Sequence, residues 1–283
     1  MEPSPLKGSK TMLLGVAGSG KTHALRTLNE IKGLRKIVLF TENAADRISD
    51  LADFHWATCM PGAGSLEELY AVANMTHAMS FKALTELDHL FRERYNNFLD
   101  LIVTLNHFHD AKTGEDLGSA DSWGPDTVLA IDGLTNICQM VVQHHVGAKP
   151  MMSPGQYMIC QGTLMSFLRQ LTTNVKCHLV LICHLSKILD ETTSLYVNQV
   201  DSIGKATAGD IPKLFSDVIL ARRVGDGTQF DWSNADTSAA TKPGLLPPTL
   251  TMPPTFVPLF EAWQAKGGLF SPTYKEAADI QAK

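Results

Sequence analysis

The octapeptide Gly15-Val16-Ala17-Gly18-Ser19-Gly20-Lys21-Thr22 constrains this chain more than any other feature, because it fits G-x-x-x-x-G-K-[ST], the phosphate-binding P-loop. Glycines at these positions let successive backbone N–H groups curl around an anion. An apolar run, Thr11-Met12-Leu13-Leu14, precedes the loop, and residues 23–31 read as a helix ended near Gly33. That order places phosphates at a helix N-terminus, where the dipole and unpaired N–H groups favour negative charge. Gly15, Gly18, Ser19, Gly20 and His23 are expected around a nucleotide. Lys21 is expected on its β- and γ-phosphates, with the Thr22 hydroxyl on Mg2+.

A P-loop calls for a second acidic motif, and Val128-Leu129-Ala130-Ile131-Asp132 supplies an apolar strand ending in a carboxylate. Asp132 is expected to hold Mg2+ through water. Gly133 follows it, so the catalytic carboxylate has to come from elsewhere. Glu42 directly follows the apolar strand 37–41, a strand expected to run beside the P-loop strand, and from that tip it would activate the attacking water. The competing reading is a helix-capping acid for residues 43–53. His184 ends an apolar strand at 178–183, where it would sense the γ-phosphate and pass the change into the polar stretch 186–209. The alternatives are a partly buried structural histidine or a metal ligand together with Cys183.

Arg222 and Arg223 close a strand at 217–221, with Lys205 in the segment before it. In a ring or filament, one of these would serve as a trans-acting finger on a neighbour's nucleotide; otherwise they are a solvated strand end. For single-stranded DNA, the loops 147–155 and 186–209 offer Lys149, Lys187 and Lys205 for phosphates and Tyr157 or Tyr196 for stacking.

Strands alternating with helices predict an α/β fold with a mostly parallel central sheet flanked by helices. Residues 10–267 read as one domain, between tails at 1–9 and 268–283. It carries a helical insertion at about 65–110, opened by a Ser65/Glu68 capping box, and a Pro-rich C-terminal extension. The chain of 283 residues is 44% hydrophobic, enough for a large core, and no apolar run approaches the length of a membrane span. No export signal is read at the N-terminus, and five scattered cysteines argue against a disulfide framework or a zinc site. A cytoplasmic setting is expected. Net charge is −5 but uneven: residues 1–47 carry 8 basic and 4 acidic groups, residues 48–150 carry 5 and 14. Any nucleic-acid contact is therefore local.

Taken in order, the P-loop, VLFTEN around Glu42, LAIDGLT around Asp132 and LVLICH ending in His184 resemble the RecA-like ATPases. The stretch IGKATAGDIPKLFSDVILARR extends the likeness to phage nucleotide-binding ATPases that include Sak-type single-strand annealing proteins. The resemblance spans residues 10–224. It implies a RecA-like P-loop NTPase core, ATP hydrolysis to ADP, homo-oligomerisation, and phage DNA recombination or replication with a phage single-strand-binding protein as partner. By the same resemblance Glu42 matches the catalytic glutamate and His184 the sensor position. A nucleotide-gated oligomeric module for replication or packaging is the alternative function.

Overall fold

The computed structural model describes residues 6–62, 65–190 and 195–270. Its centre is a sheet whose strands are named in chain order: β1 (Lys10–Gly15), β2 (Arg35–Phe40), β3 (Phe54–Thr58), β4 (Thr127–Asp132), β5 (His178–Asp190), β6 (Leu195–Val200), β7 (Asp217–Val224) and β8 (Gln229–Ser233). The order is β3-β2-β4-β5-β1-β7-β8, with β6 paired to β5 alone. Pairing is parallel from β3 through β7, and antiparallel for β7 with β8 and β5 with β6. Val128–Ile131 and Leu179–Cys183 are buried on both faces, the pattern of parallel strands covered by helices. The protein is thus α/β, with a mostly parallel sheet between helical layers.

The helices are α1 (Lys21–Ala24), α2 (Leu66–Ala78), α3 (Phe81–Glu86), α4 (Asn97–Asn106), α5 (Leu134–Val146), α6 (Pro154–Thr173), α7 (Gly204–Asp210) and α8 (Val257–Ala265). On one face, α4, α5 and α6 pack Phe98, Ile137 and Leu168 against Leu129 and Leu181; on the other, Leu25, Phe256 and Phe260 meet Leu13, Val38 and Val180. The Ser65/Glu68 capping box forms as expected, yet α2 and α3 bury no residue.

Several expectations are corrected. The helix foreseen at 23–31 is one α-helical turn followed by 3-10 geometry over Leu25–Glu30. There the Thr27 hydroxyl donates to the Ala24 carbonyl three residues back, competing for the backbone acceptor. β2 does not run beside β1; β4 and β5 lie between them. An apolar strand fits beside any other, so its sequence does not name its neighbour. The amphipathic stretch foreseen from 81 to 105 breaks into α3 and α4, and between them Leu90 bridges to Gly147.

β5 continues past His184 to Asp190 and forms an antiparallel pair with β6 where a polar loop was expected. A half-solvated antiparallel ribbon tolerates the polar residues that suggested a loop. β8 was likewise missed. The Pro-rich extension wraps the edge it makes: Trp232 and Met252 exchange backbone hydrogen bonds, Asn234 holds Thr249, and Asp217 accepts from Gly244 and Leu245. Near the chain start, Gly8 N–H donates to Lys176 and Ser9 N–H to His178 Nδ1. The tail expected at 268–283 lies almost wholly outside the described residues.

Candidate functional site

A cavity of about 700 Å³ opens at the carboxyl ends of the parallel strands, lined by the glycine-rich loop and by Glu42, Asp132, His184, Arg223 and Phe230. Gly18 and Gly20 adopt φ of +72° and +84°, conformations that L side chains rarely take. At Gly15 a Cβ would fall 2.4 Å from Ser19 Oγ and 2.7 Å from the Ala221 carbonyl, so the loop curls only because that position is bare. Ser19 Oγ is buried there without a hydrogen-bond partner. Lys21 is 5% exposed, and its Nζ donates to the Gly15 and Val16 carbonyls at 2.9 Å each. Burial lowers its pKa, partly offset by Asp132 and Glu42. The ammonium thus lies under the loop, with the loop's own carbonyls as its acceptors.

Thr22 Oγ1 donates to Asp132 Oδ2 at 2.6 Å, joining two motifs 110 residues apart. β4 delivers Asp132 almost wholly buried, and burial pushes its carboxyl up to about 6 against the opposing hydrogen bond from Thr22. A hydroxyl and a carboxylate at this distance suit Mg2+, which keeps most of its water and takes few protein ligands beside substrate phosphates. Among the described residues no group of three or more His, Cys, Asp or Glu side chains forms a metal cage.

Glu42 reaches the site although β2 is not the neighbour of β1. β2 pairs with β4, so Phe40 lies opposite Asp132 and the chain leaving β2 passes over the Asp132–Gly133 peptide. Thr41 Oγ1 donates to the Gly133 carbonyl at 2.7 Å, and Asn136 Nδ2 donates to the Thr41 carbonyl. A Cβ at Gly133, whose φ is +119°, would sit 2.3 Å from Thr41 Oγ1 and 2.8 Å from Glu42 Cγ. The glycine after Asp132 is what lets Glu42 approach. From β5, His184 Nε2 donates to Glu42 Oε1 at 3.1 Å. That hydrogen bond is the main reason the Glu42 carboxyl is held below the ordinary range, so it stands ionised beside Lys21.

The basic residues at the end of β7 separate. Arg222 is bound by Asp231 through Nε and Nη2 at 3.0 and 2.8 Å, and by Asp236 at 2.6 Å. Arg223 turns the other way, its Nε donating to the Gly18 carbonyl of the same chain at 2.6 Å. Lys205 lies on α7, away from the cavity lining, whereas exposed His23 lines it. Lys149, expected on a loop surface, is buried with Nζ on Gln156 Oε1 at 3.0 Å, because the α6 capping box folds over it. Tyr196 and Lys187 are exposed on the β5–β6 ribbon, and Tyr157 is exposed on α6.

Sequence reasoning missed Phe230, Arg26, Arg47 and Asn43 as cavity residues. Asn43 adjoins the Glu42 motif and was within reach of it; Phe230 carried no local signal, since it reaches the loop only through the β7–β8 pairing. No described helix is long and apolar enough to cross a membrane. No protein-family model matches the chain, and no curated protein matches it.

Proposed function

We propose that this chain is a magnesium-dependent ATPase with a RecA-like P-loop core, acting on single-stranded DNA in phage recombination or replication. The observation that carries the reading is the 2.6 Å hydrogen bond from Thr22 to Asp132, which brings the loop hydroxyl and the strand-end acid to one point beside Lys21. Mg2+, when bound there with the triphosphate, neutralises charge on the β- and γ-phosphates. Lys21 exchanges its loop carbonyls for phosphate oxygens. Glu42, ionised and facing the same cavity, accepts a hydrogen bond from the attacking water and orients it in line with the γ-phosphorus.

His184 gives the cycle a mechanical output. Its ring competes with that water for the Glu42 carboxylate, and it sits in β5 directly before the ribbon that β6 completes. A change of partner at His184 is therefore passed along β5 to Lys187 and, across its pairing with β6, to Tyr196, a cation and an aromatic suited to phosphate and base. One observation favours a nucleotide-gated oligomeric module instead. α2 buries nothing and leaves Leu66, Leu69 and Tyr70 exposed at i, i+3 and i+4, an apolar stripe suited to a second subunit.

Phosphate release with Mg2+, measured with and without single-stranded DNA on the wild type and on Lys21→Ala, tests the proposal. Stimulation by DNA, lost in the variant, supports the DNA-coupled ATPase. Turnover indifferent to DNA favours the gated module, and absence of Mg-dependent turnover refutes ATPase chemistry.

A further inference from the structure

We infer that Phe230, with Arg223 beside it, is the platform on which the nucleobase of this site stacks; the inference rests on the nucleotide reading above and names the part of the ligand that the loop motif does not address. The strand order divides the cavity into two ends. Glu42, Asp132 and His184 reach it from β2, β4 and β5, all on one side of β1. Arg223 and Phe230 reach it from β7 and β8, on the other side. A triphosphate whose terminal phosphorus faces the acids has to run back across the loop, so its base end emerges on the β7–β8 side.

What waits there is aromatic and planar. Phe230 is 39% exposed at the cavity wall, although the next residues on β8, Asp231 and Trp232, are buried. Its ring lies against the loop itself: a Cβ on Gly20 would be 3.1 Å from Phe230 Cδ1. The Arg223 guanidinium carbon is 5.8 Å from the ring centroid, and the Gly18 carbonyl holds its Nε. Loop, guanidinium and ring thus form one continuous wall. An apolar ring left open in a concave polar site is placed to cover an apolar ligand face.

Of the polar side chains that the segment after the loop adds to the cavity wall, His23 is exposed and two others are engaged. Arg26 is forked onto Asp50 at 2.6 and 2.7 Å, and the Thr27 hydroxyl donates to the Ala24 carbonyl and accepts from Phe256 N–H. Phe230 thus offers the base a face, and stacking of that kind accepts any base because each has a π-surface. Phe230 binds and does not catalyse. Truncating it weakens the hold on a nucleoside phosphate and leaves the phosphate cradle intact.

The test uses two Mg2+-bound probes, ADP and inorganic tripolyphosphate, titrated calorimetrically into the full-length wild type, Phe230→Ala and Phe230→Trp. The expected result is about a tenfold loss of ADP affinity in Phe230→Ala. Tripolyphosphate affinity should stay unchanged, and Phe230→Trp should bind ADP as tightly as the wild type. Unchanged ADP affinity in Phe230→Ala overturns the inference. So does a parallel loss of both probes, which would mark a damaged fold or loop. If the wild type binds tripolyphosphate but gains nothing from the nucleoside, the platform is refuted and the phosphate site survives; if it binds neither probe, the nucleotide reading falls and this inference with it.

Discussion

His184 and Glu42 stand 142 residues apart in the chain, and the imidazole Nε2 lies 3.1 Å from the carboxylate Oε1. The pair places an ionised acid beside Lys21 and Asp132 and ties it to the strand that leads out of the site. Glu42→Gln should keep nucleotide affinity within a few-fold and lower turnover by about 10²–10⁴, the range for loss of a general base. Phosphate release compared with binding of the same nucleotide checks this. A variant that hydrolyses at the wild-type rate would move the base elsewhere.

Asp132→Asn separates metal chemistry from stability. The folded carboxyl titrates near 6 and the reference carboxyl near 3.8, so between these values the folded state holds the extra proton and stability falls as pH rises. At pH 7.5 without nucleotide, the Asn protein should melt at a higher temperature than the wild type, and the gap should shrink as pH drops from 6 towards 4. Its Mg-dependent nucleotide binding should be lost. A wild type that melts higher at every pH contradicts the assignment of Asp132 as a buried, strained charge.

Gly133→Ala should damage the site without touching a ligand group. The added Cβ has to displace Thr41 or Glu42 Cγ, and the φ of +119° is strained for any L side chain. A loss of about 1–3 kcal/mol in unfolding free energy is expected, together with a fall in turnover. Full activity in the Ala protein would show that Glu42 needs no such approach.

His178 predicts acid sensitivity far from the cavity. It is fully buried against Phe260 and Trp263, and burial, reinforced by Lys10, lowers its pKa to about 3 from 6.5. Between those values only the unfolded chain binds the proton, so stability is lost as pH falls through 6.5, at about 1.4 kcal/mol per pH unit from this group. Denaturant unfolding at pH 7 and 5.5 measures the loss. An imidazole resonance of His178 that titrates near 6.5 in the native protein would refute it.

The five thiols offer a simpler check. Cys59, Cys138, Cys160, Cys177 and Cys183 are all buried and unpaired, and burial raises each pKa, to about 11 for Cys59 and about 12 for Cys138. Native protein at pH 8 should react with a disulfide reagent only at the rate of unfolding. Rapid modification of one thiol would place it at the surface.

The loop, the apolar strand ending in Asp132 and the acid at Glu42 were legible because each is a local pattern: glycines where φ is positive, an apolar run where both faces are buried, a polar residue where the strand emerges. The β5–β6 ribbon and β8 were not legible. Gln229, Phe230 and Asp231 alternate no more regularly than a loop does, and they become a strand only because β7 offers them an unpaired edge. For the same reason the polar residues after His184 concealed six further strand positions, and Lys149 read as a surface cation until α6 folded over it.

By itself, then, the sequence determined the glycine-rich loop, the α/β alternation and the identity of the acids at the cavity, since these follow from conformational and burial preferences of residues close together in the chain. Which strand lies beside which was decided only in the folded molecule. Two strands separate β2 from β1, and Glu42 still enters the cavity because β2 pairs with β4 and Gly133 leaves room for it. Parallel pairing is a choice among apolar strands of nearly equal local preference, settled by the layer of helices that each arrangement can bury.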